Sequence, residues 1–195
     1  MRILATIELA VFFLLAFGLR TLLHWRATGR SGFVGLRPGA RAVEMAAGVL
    51  LVVALALAPC AIWIGEPLWR RGQALGAAVA LGGIALTFVA QLQMGSSWRI
   101  GVEPGERTKL VTRGAFAAVR NPIFSAMLLV SVGLALAVPT PLALALPPVL
   151  LLALELQVRF VEEPHLLRAH GEPYLRWASR TGRFVPGIGR LALPR

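Results

Sequence analysis

The chain reads as an all-α integral membrane protein: five transmembrane helices with a cytoplasmic C-terminal helical tail. Three observations predict this. First, 57% of the 195 residues are hydrophobic and only 15% are charged, whereas a soluble domain of this length carries about 25% charge. Second, the apolar residues gather into five runs, at 3–19, 43–64, 74–90, 122–138 and 141–158. Each run is near the roughly 17–25 residues that an α-helix needs to cross the hydrocarbon. Third, the basic residues are lopsided. Segments 20–42 and 95–121 hold five each and the tail from Arg159 holds seven, while the opposite side holds only Arg2, Arg70 and Arg71. With five spans, the rich segments share one face. Positive charge marks that face as cytoplasmic and leaves the N-terminus outside. The expected setting is a bacterial-type plasma membrane, with residues 1–195 forming a single membrane domain.

The same composition excludes other classes. The net charge of +11 comes from loops flanking apolar runs, so it reads as topology rather than nucleic-acid binding. Cys60 is the sole cysteine and lies in an apolar run, so no intramolecular disulfide forms. No Cys/His cluster has metal-ligand spacing, and no glycine-rich phosphate loop is present. No metal site is expected.

Each element follows from its residues. The first run is broken only by Glu8 and is followed by dense arginine, which marks a retained anchor rather than a cleaved leader. The third run carries Gly76, Gly82 and Gly83 among alanines, a pattern for close helix packing. The stretch Glu103-Pro-Gly-Glu106 signals a turn. Pro122 marks the start of the fourth helix, because a proline there loses no hydrogen bond. Only Pro139-Thr140 separates the fourth and fifth runs, which forces an antiparallel hairpin. Pro147-Pro148 reads as a tolerated membrane proline pair. After Pro164 the tail reads as two short amphipathic helices separated at Gly171.

The chemistry-bearing residues sit at the ends of that hairpin. Glu155, Arg159, Glu162 and Glu163 fall three or four apart and share one helix face. The hairpin brings them to the same membrane face as Arg120-Asn121-Pro122. Charges at that depth are costly unless they pair or line a wet cavity. Arg159 is expected beside the Arg120 turn and held by Glu155, with Glu162 and Glu163 free for a ligand.

Taken in order, these pieces resemble the isoprenylcysteine carboxyl methyltransferase family, which is similar to the phospholipid N-methyltransferases. The residues carrying the resemblance are Gly114-Ala-Phe116, Arg120-Asn121-Pro122-Ile-Phe124, Arg159-Phe-Val-Glu162-Glu163, Leu166, Gly171-Glu-Pro-Tyr174 and Arg183-Phe-Val-Pro186. They cover roughly the C-terminal half. Asn121 stands where the family has histidine, and Phe116 and Phe124 stand where it has tyrosine. The resemblance implies S-adenosyl-L-methionine as cofactor and a lipophilic small molecule or lipid as acceptor, taken from the bilayer at the cytoplasmic face. It implies Arg159 and Glu163 as catalytic residues. Cofactor binding falls to Gly114, Arg120, Asn121, Pro122, Glu162, Glu163 and Tyr174. Bottom-up, Glu162 and Glu163 suit the cofactor's ammonium or ribose hydroxyls, and Arg120 or Arg159 its carboxylate. Two alternatives stand beside this reading: an NADPH-dependent isoprenoid or sterol-type membrane reductase, and a non-catalytic membrane scaffold.

Overall fold

The computed structural model describes residues 1–34, 41–101 and 109–193, and within them the chain is helical. The Glu103–Glu106 turn lies outside the described residues. Each of the five apolar runs is a helix. Among the described residues, four helices are long and apolar enough to cross a membrane: α1 Arg2–Thr28, α2 Ala42–Trp63, α3 within Gln73–Ser97, and the long helix Pro141–His170. α3 itself spans Gln73–Met94. The fourth run forms a shorter apolar helix, α5 Pro122–Ala137, preceded by the single turn α4 Ala115–Ala118. Within Pro141–His170, α6 Pro141–Gln157 passes through a π-helical turn, Val158–Glu162, into α7 Glu163–His170. Pro147 and Pro148 lie inside α6, which runs through them. α8 Glu172–Ala178 follows Gly171.

The core forms where small residues let backbones touch. A Cβ on Gly76 of α3 would lie 2.3 Å from the Ala137 nitrogen, and one on Gly133 of α5 2.3 Å from the Ala80 nitrogen. No larger residue fits there without pushing α3 and α5 apart. Ala5, Leu9, Phe12 and Ala16 of α1 pack into this seam beside Ala80, Ile84, Val130 and Leu134. α2 meets α6 through Ala54 against Leu150 and Leu154, and through Ala61 against Ala143 and Leu146. Thr140 fixes the hairpin. Its buried hydroxyl donates to the Ala61 carbonyl at 2.7 Å and accepts from the Ala143 amide at 3.1 Å, capping α6.

The boundary after the first run differs from the sequence expectation. Segment 20–42 was expected to open as a loop at Arg20, yet α1 continues to Thr28 and ends at Gly29 with φ +73°. Arg20 does not break the helix because it finds partners inside the fold. Its Nη2 donates to the Gly95 carbonyl, and its guanidinium lies 4.7 Å above the Trp98 ring. A desolvated cation over tryptophan is favourable. A π-helical segment at Leu14–Leu19 frees the Ala16 carbonyl, which accepts from Gln91 Nε2 of α3 at 3.1 Å. α1 is therefore pinned to α3 one turn at a time.

Candidate functional site

The site grows from two segments that meet in an unusual way. Val119 pairs with Gly182 in an isolated parallel bridge. The Arg120 amide donates to the Gly182 carbonyl at 2.8 Å, and the Asn121 amide to the Arg183 carbonyl at 3.1 Å. The Asn121 side-chain amide adds a second bond to that carbonyl, and the Ser125 hydroxyl donates to the Phe184 carbonyl. Residues 182–184 are thus laid along the start of α5. Gly114 opens the approach with φ +63°, and a Cβ there would sit 2.5 Å from Gln93 Oε1. That same oxygen accepts from the Ala115 amide, so Gly114 holds α4 against α3.

Arg120 is buried at the centre of this joint. Its Nη1 donates to the carbonyls of Ala178 and Thr181, and its Nη2 to the Gly189 carbonyl and to Glu163 Oε1. Glu163 also receives Arg183 in a two-pronged pair, Nε to Oε1 at 2.9 Å and Nη2 to Oε2 at 3.0 Å. Arg183 Nη1 then reaches Glu155 Oε2 at 3.1 Å, and the same oxygen accepts from Arg159 Nε. The charges alternate along the chain Arg120, Glu163, Arg183, Glu155, Arg159. Forked guanidinium–carboxylate pairs of this kind are directional as well as strong.

The π-turn explains how the carboxylates reach this place. Pro164 has no amide hydrogen and its ring crowds the carbonyl one turn back. Widening the preceding turn relieves both problems, and such turns recur at functional sites. They also shift the register, so Glu163 points at the Arg120 joint. Glu162 stays half-buried, within hydrogen-bonding reach of Gln157 and in the field of Arg99. Arg99 Nη2 lies 3.4 Å from His165 Nε2.

Two groups outside the spans respond to this charge. The Tyr174 side chain is buried, and burial followed by the Glu163 charge pushes its phenol upward. It stays a neutral donor at physiological pH. Burial alone would lower Arg183, but its bonds to Glu163 and that carboxylate's charge more than offset this and raise it.

The structure therefore brings together Arg120, Asn121, Pro122, Glu163 and Tyr174, and places Glu162 and Gly114 at the margins. It rearranges two expectations. Glu163 is saturated by two arginines rather than free. The arginine beside the Arg120 turn is Arg183, while Arg159 lies at the outer end with 56% of its side chain exposed. Sequence reasoning quoted Arg183 as part of a motif but gave it no role. The late Arg-x-x-Pro spacing was the available signal.

A model of the phospholipid methyltransferase family matches residues 72–173, slightly more than half of the chain. The chain belongs to the phospholipid methyltransferase family. The matched span includes Arg120, Glu155, Glu162 and Glu163. Among solved structures, the fold resembles that of a eukaryotic intramembrane Ras methyltransferase, isoprenylcysteine carboxyl methyltransferase. The TM-score is 0.60 at 20% identity, and the match covers 93% of this chain. This family member spans 66% of that protein's length. No match was found among curated proteins.

Exposure sets the expected effect of changing Arg159. An ion pair this open contributes about 0.2–1 kcal/mol, so Arg159→Ala should barely move the melting temperature in detergent while weakening S-adenosylhomocysteine binding. A fall of many degrees with affinity unchanged would make Arg159 a structural residue only.

Proposed function

We propose that this chain is an S-adenosylmethionine-dependent methyltransferase acting on a lipophilic small molecule or lipid at the cytoplasmic face of the membrane. Family membership supports the reaction class. The observation that carries the site assignment is the Arg120–Glu163–Arg183–Glu155 network, which clamps the tail onto the hairpin and leaves Glu162 beside it only half-buried. In this proposal all five apolar helices cross the bilayer, the N-terminus lies outside, and the tail closes over the hairpin from the cytoplasm of a bacterial-type cell. The basic loops support that orientation.

The donor set suits the cofactor. Glu162 is the acidic residue of the pair that the arginines leave unsaturated, and it serves the ammonium or ribose hydroxyls. The exposed guanidinium of Arg159 serves the carboxylate, since four donors of Arg120 are already engaged. Arg120, Glu163 and Arg183 act as positioning residues, as do Gly114, Asn121 and Pro122 through the backbone they fix. Tyr174 contributes a neutral hydroxyl next to Glu163. When bound, S-adenosylmethionine supplies an electrophilic methyl group. The protein's task in an in-line displacement is to hold the acceptor atom in line and keep water out, which is worth about 7–11 kcal/mol in favourable cases.

Calorimetric titration of the purified, folded chain with S-adenosylhomocysteine tests this. Saturable binding is expected, with Glu162→Gln weakening it at unchanged melting temperature. No heat of binding from a folded sample, or binding of NADPH instead, would overturn the proposal.

A further inference from the structure

Arg41 stands just ahead of α2 and counts, in the sequence, only among the basic residues that set topology. In the fold its guanidinium reaches across to the π-turn. Nη2 donates to the Phe160 carbonyl at 2.8 Å, and Nε donates to Glu44 Oε1 at 2.7 Å. We propose that Arg41 is a positioning residue of the cofactor site: it holds the π-turn open at the Phe160 carbonyl and so sets which way Glu162 and Glu163 face. This role rests on the cofactor reading given above.

The chemistry of Pro164 explains why a side chain is needed there. In a regular α-helix the Phe160 carbonyl accepts from the amide four residues on. That residue is Pro164, which has no amide hydrogen. The Glu163 amide, for its part, bonds to the Val158 carbonyl, five residues back instead of four. The helix therefore carries a wide turn at 158–162, and the guanidinium of Arg41 supplies a donor to a carbonyl that Pro164 cannot serve. The register matters because one residue of slip turns a helix face by about 100°. Slip of that size would carry Glu163 away from Arg120 and Arg183 and move Glu162 with it.

Arg41 is fixed at both ends. Its backbone is extended, with φ −67° and ψ 154°, and its carbonyl accepts from the Glu44 and Met45 amides at the start of α2. Glu44 sits in the first turn of that helix, where the helix dipole favours a carboxylate, and its side chain is only 11% exposed. The carboxylate sets the plane of the guanidinium, and the fork then points one nitrogen at the π-turn. Deeper in the fold, α2 is locked to α6 through Ala54 against Leu150 and Leu154. A rigid helix thus presents Arg41 at a fixed height beside Phe160. Arg41 also lies outside the matched family span at 72–173, so this contact ties a separate part of the chain to the carboxylates.

Hydrogen exchange over residues 158–166 and calorimetric titration with S-adenosylhomocysteine, both on the purified full chain in detergent, test the role. Arg41→Ala should speed exchange and weaken binding, each at least about tenfold. Its melting temperature should stay near wild type, because an ion pair with an arginine 59% exposed adds little to stability. Arg41→Lys should recover part of both losses: it keeps a donor for the carbonyl without the fork that Glu44 orients. If Arg41→Ala does not fold, Arg41→Lys against wild type carries the same comparison. Pro164→Ala returns an amide to the Phe160 carbonyl, so in that background Arg41→Ala should change exchange by less than about twofold, the coupling expected of groups that share one partner. Wild-type exchange and affinity in Arg41→Ala overturn the proposal. So does an Arg41→Ala effect of full size in the Pro164→Ala background, which would place its action elsewhere. A wild type that binds no S-adenosylhomocysteine defeats the cofactor reading instead, and exchange alone then decides whether Arg41 holds the turn.

Discussion

Glu163→Gln should lose S-adenosylhomocysteine binding and a large share of the chain's stability together. Among the described residues, Glu163 is the one carboxylate that holds both Arg120 and Arg183, and the three side chains are only 11%, 2% and 9% exposed. The glutamine is nearly isosteric, so packing survives and the loss is electrostatic. Its amide group can accept at one oxygen, but its NH₂ then faces guanidinium donors. Stranding a buried charge in this way costs about 3–5 kcal/mol. Part of Arg183 remains paired through Glu155, which places the expected loss toward the lower end. The measurement is a melting curve in detergent beside the calorimetric titration. A Glu163→Gln protein with wild-type melting temperature and affinity would show that the network neither supports the tail nor the site.

The five apolar helices were legible as long, nearly unbroken apolar runs, and four of them are long enough to cross a bilayer. Their ends were not. Arg20 reads as a stop signal in any local window, and it is helical only because Gly95 and Trp98, far along the chain, take its charge and its donors. The same limit applies to the π-turn at Val158–Glu162. Pro164 hints at strained backbone there, but a proline after a helix equally announces an end. Composition cannot distinguish a stop from a widened turn that lets the helix run on to His170.

The site was legible as a set of motifs and illegible as a set of pairings. Arg120 and the Glu162-Glu163 couple were singled out, and the short hairpin correctly implied that Arg120 and Glu163 come together. Each was then given to a ligand. In the fold Arg120 gives one bond to Glu163 and three to tail carbonyls, and Glu163 takes two more from Arg183, an arrangement framed by the Val119–Gly182 bridge. No periodicity marks that bridge, since it joins one residue to one residue. Arg183 went unassigned for the same reason. Its carbonyl is fixed by Asn121 and its guanidinium by Glu163 and Glu155, none of which is near in sequence. Glu155 with Arg159, by contrast, is an i, i+4 pair on one helix and was read directly.

Arg120→Lys isolates the geometric part of this arrangement, because the charge is kept. The guanidinium fork serves three tail carbonyls, those of Ala178, Thr181 and Gly189, as well as Glu163. A lysine ammonium offers three donors from a single point and cannot span acceptors on both sides of the fork. It should keep Glu163 and abandon at least two carbonyls, each left buried at a cost of about 1–3 kcal/mol. Residues 178–191 are tied to the hairpin through this side chain and through the backbone bonds at 120–121, so half of that tether goes. The expected result is a tail that limited proteolysis cuts at least about tenfold faster, together with a large loss of S-adenosylhomocysteine affinity, while the apolar helices stay protected. Adding S-adenosylhomocysteine at high concentration should slow the cleavage of the wild-type tail and not of the variant. If Arg120→Lys resists protease as the wild type does, charge alone holds the tail, and the fork geometry assigned to Arg120 is wrong.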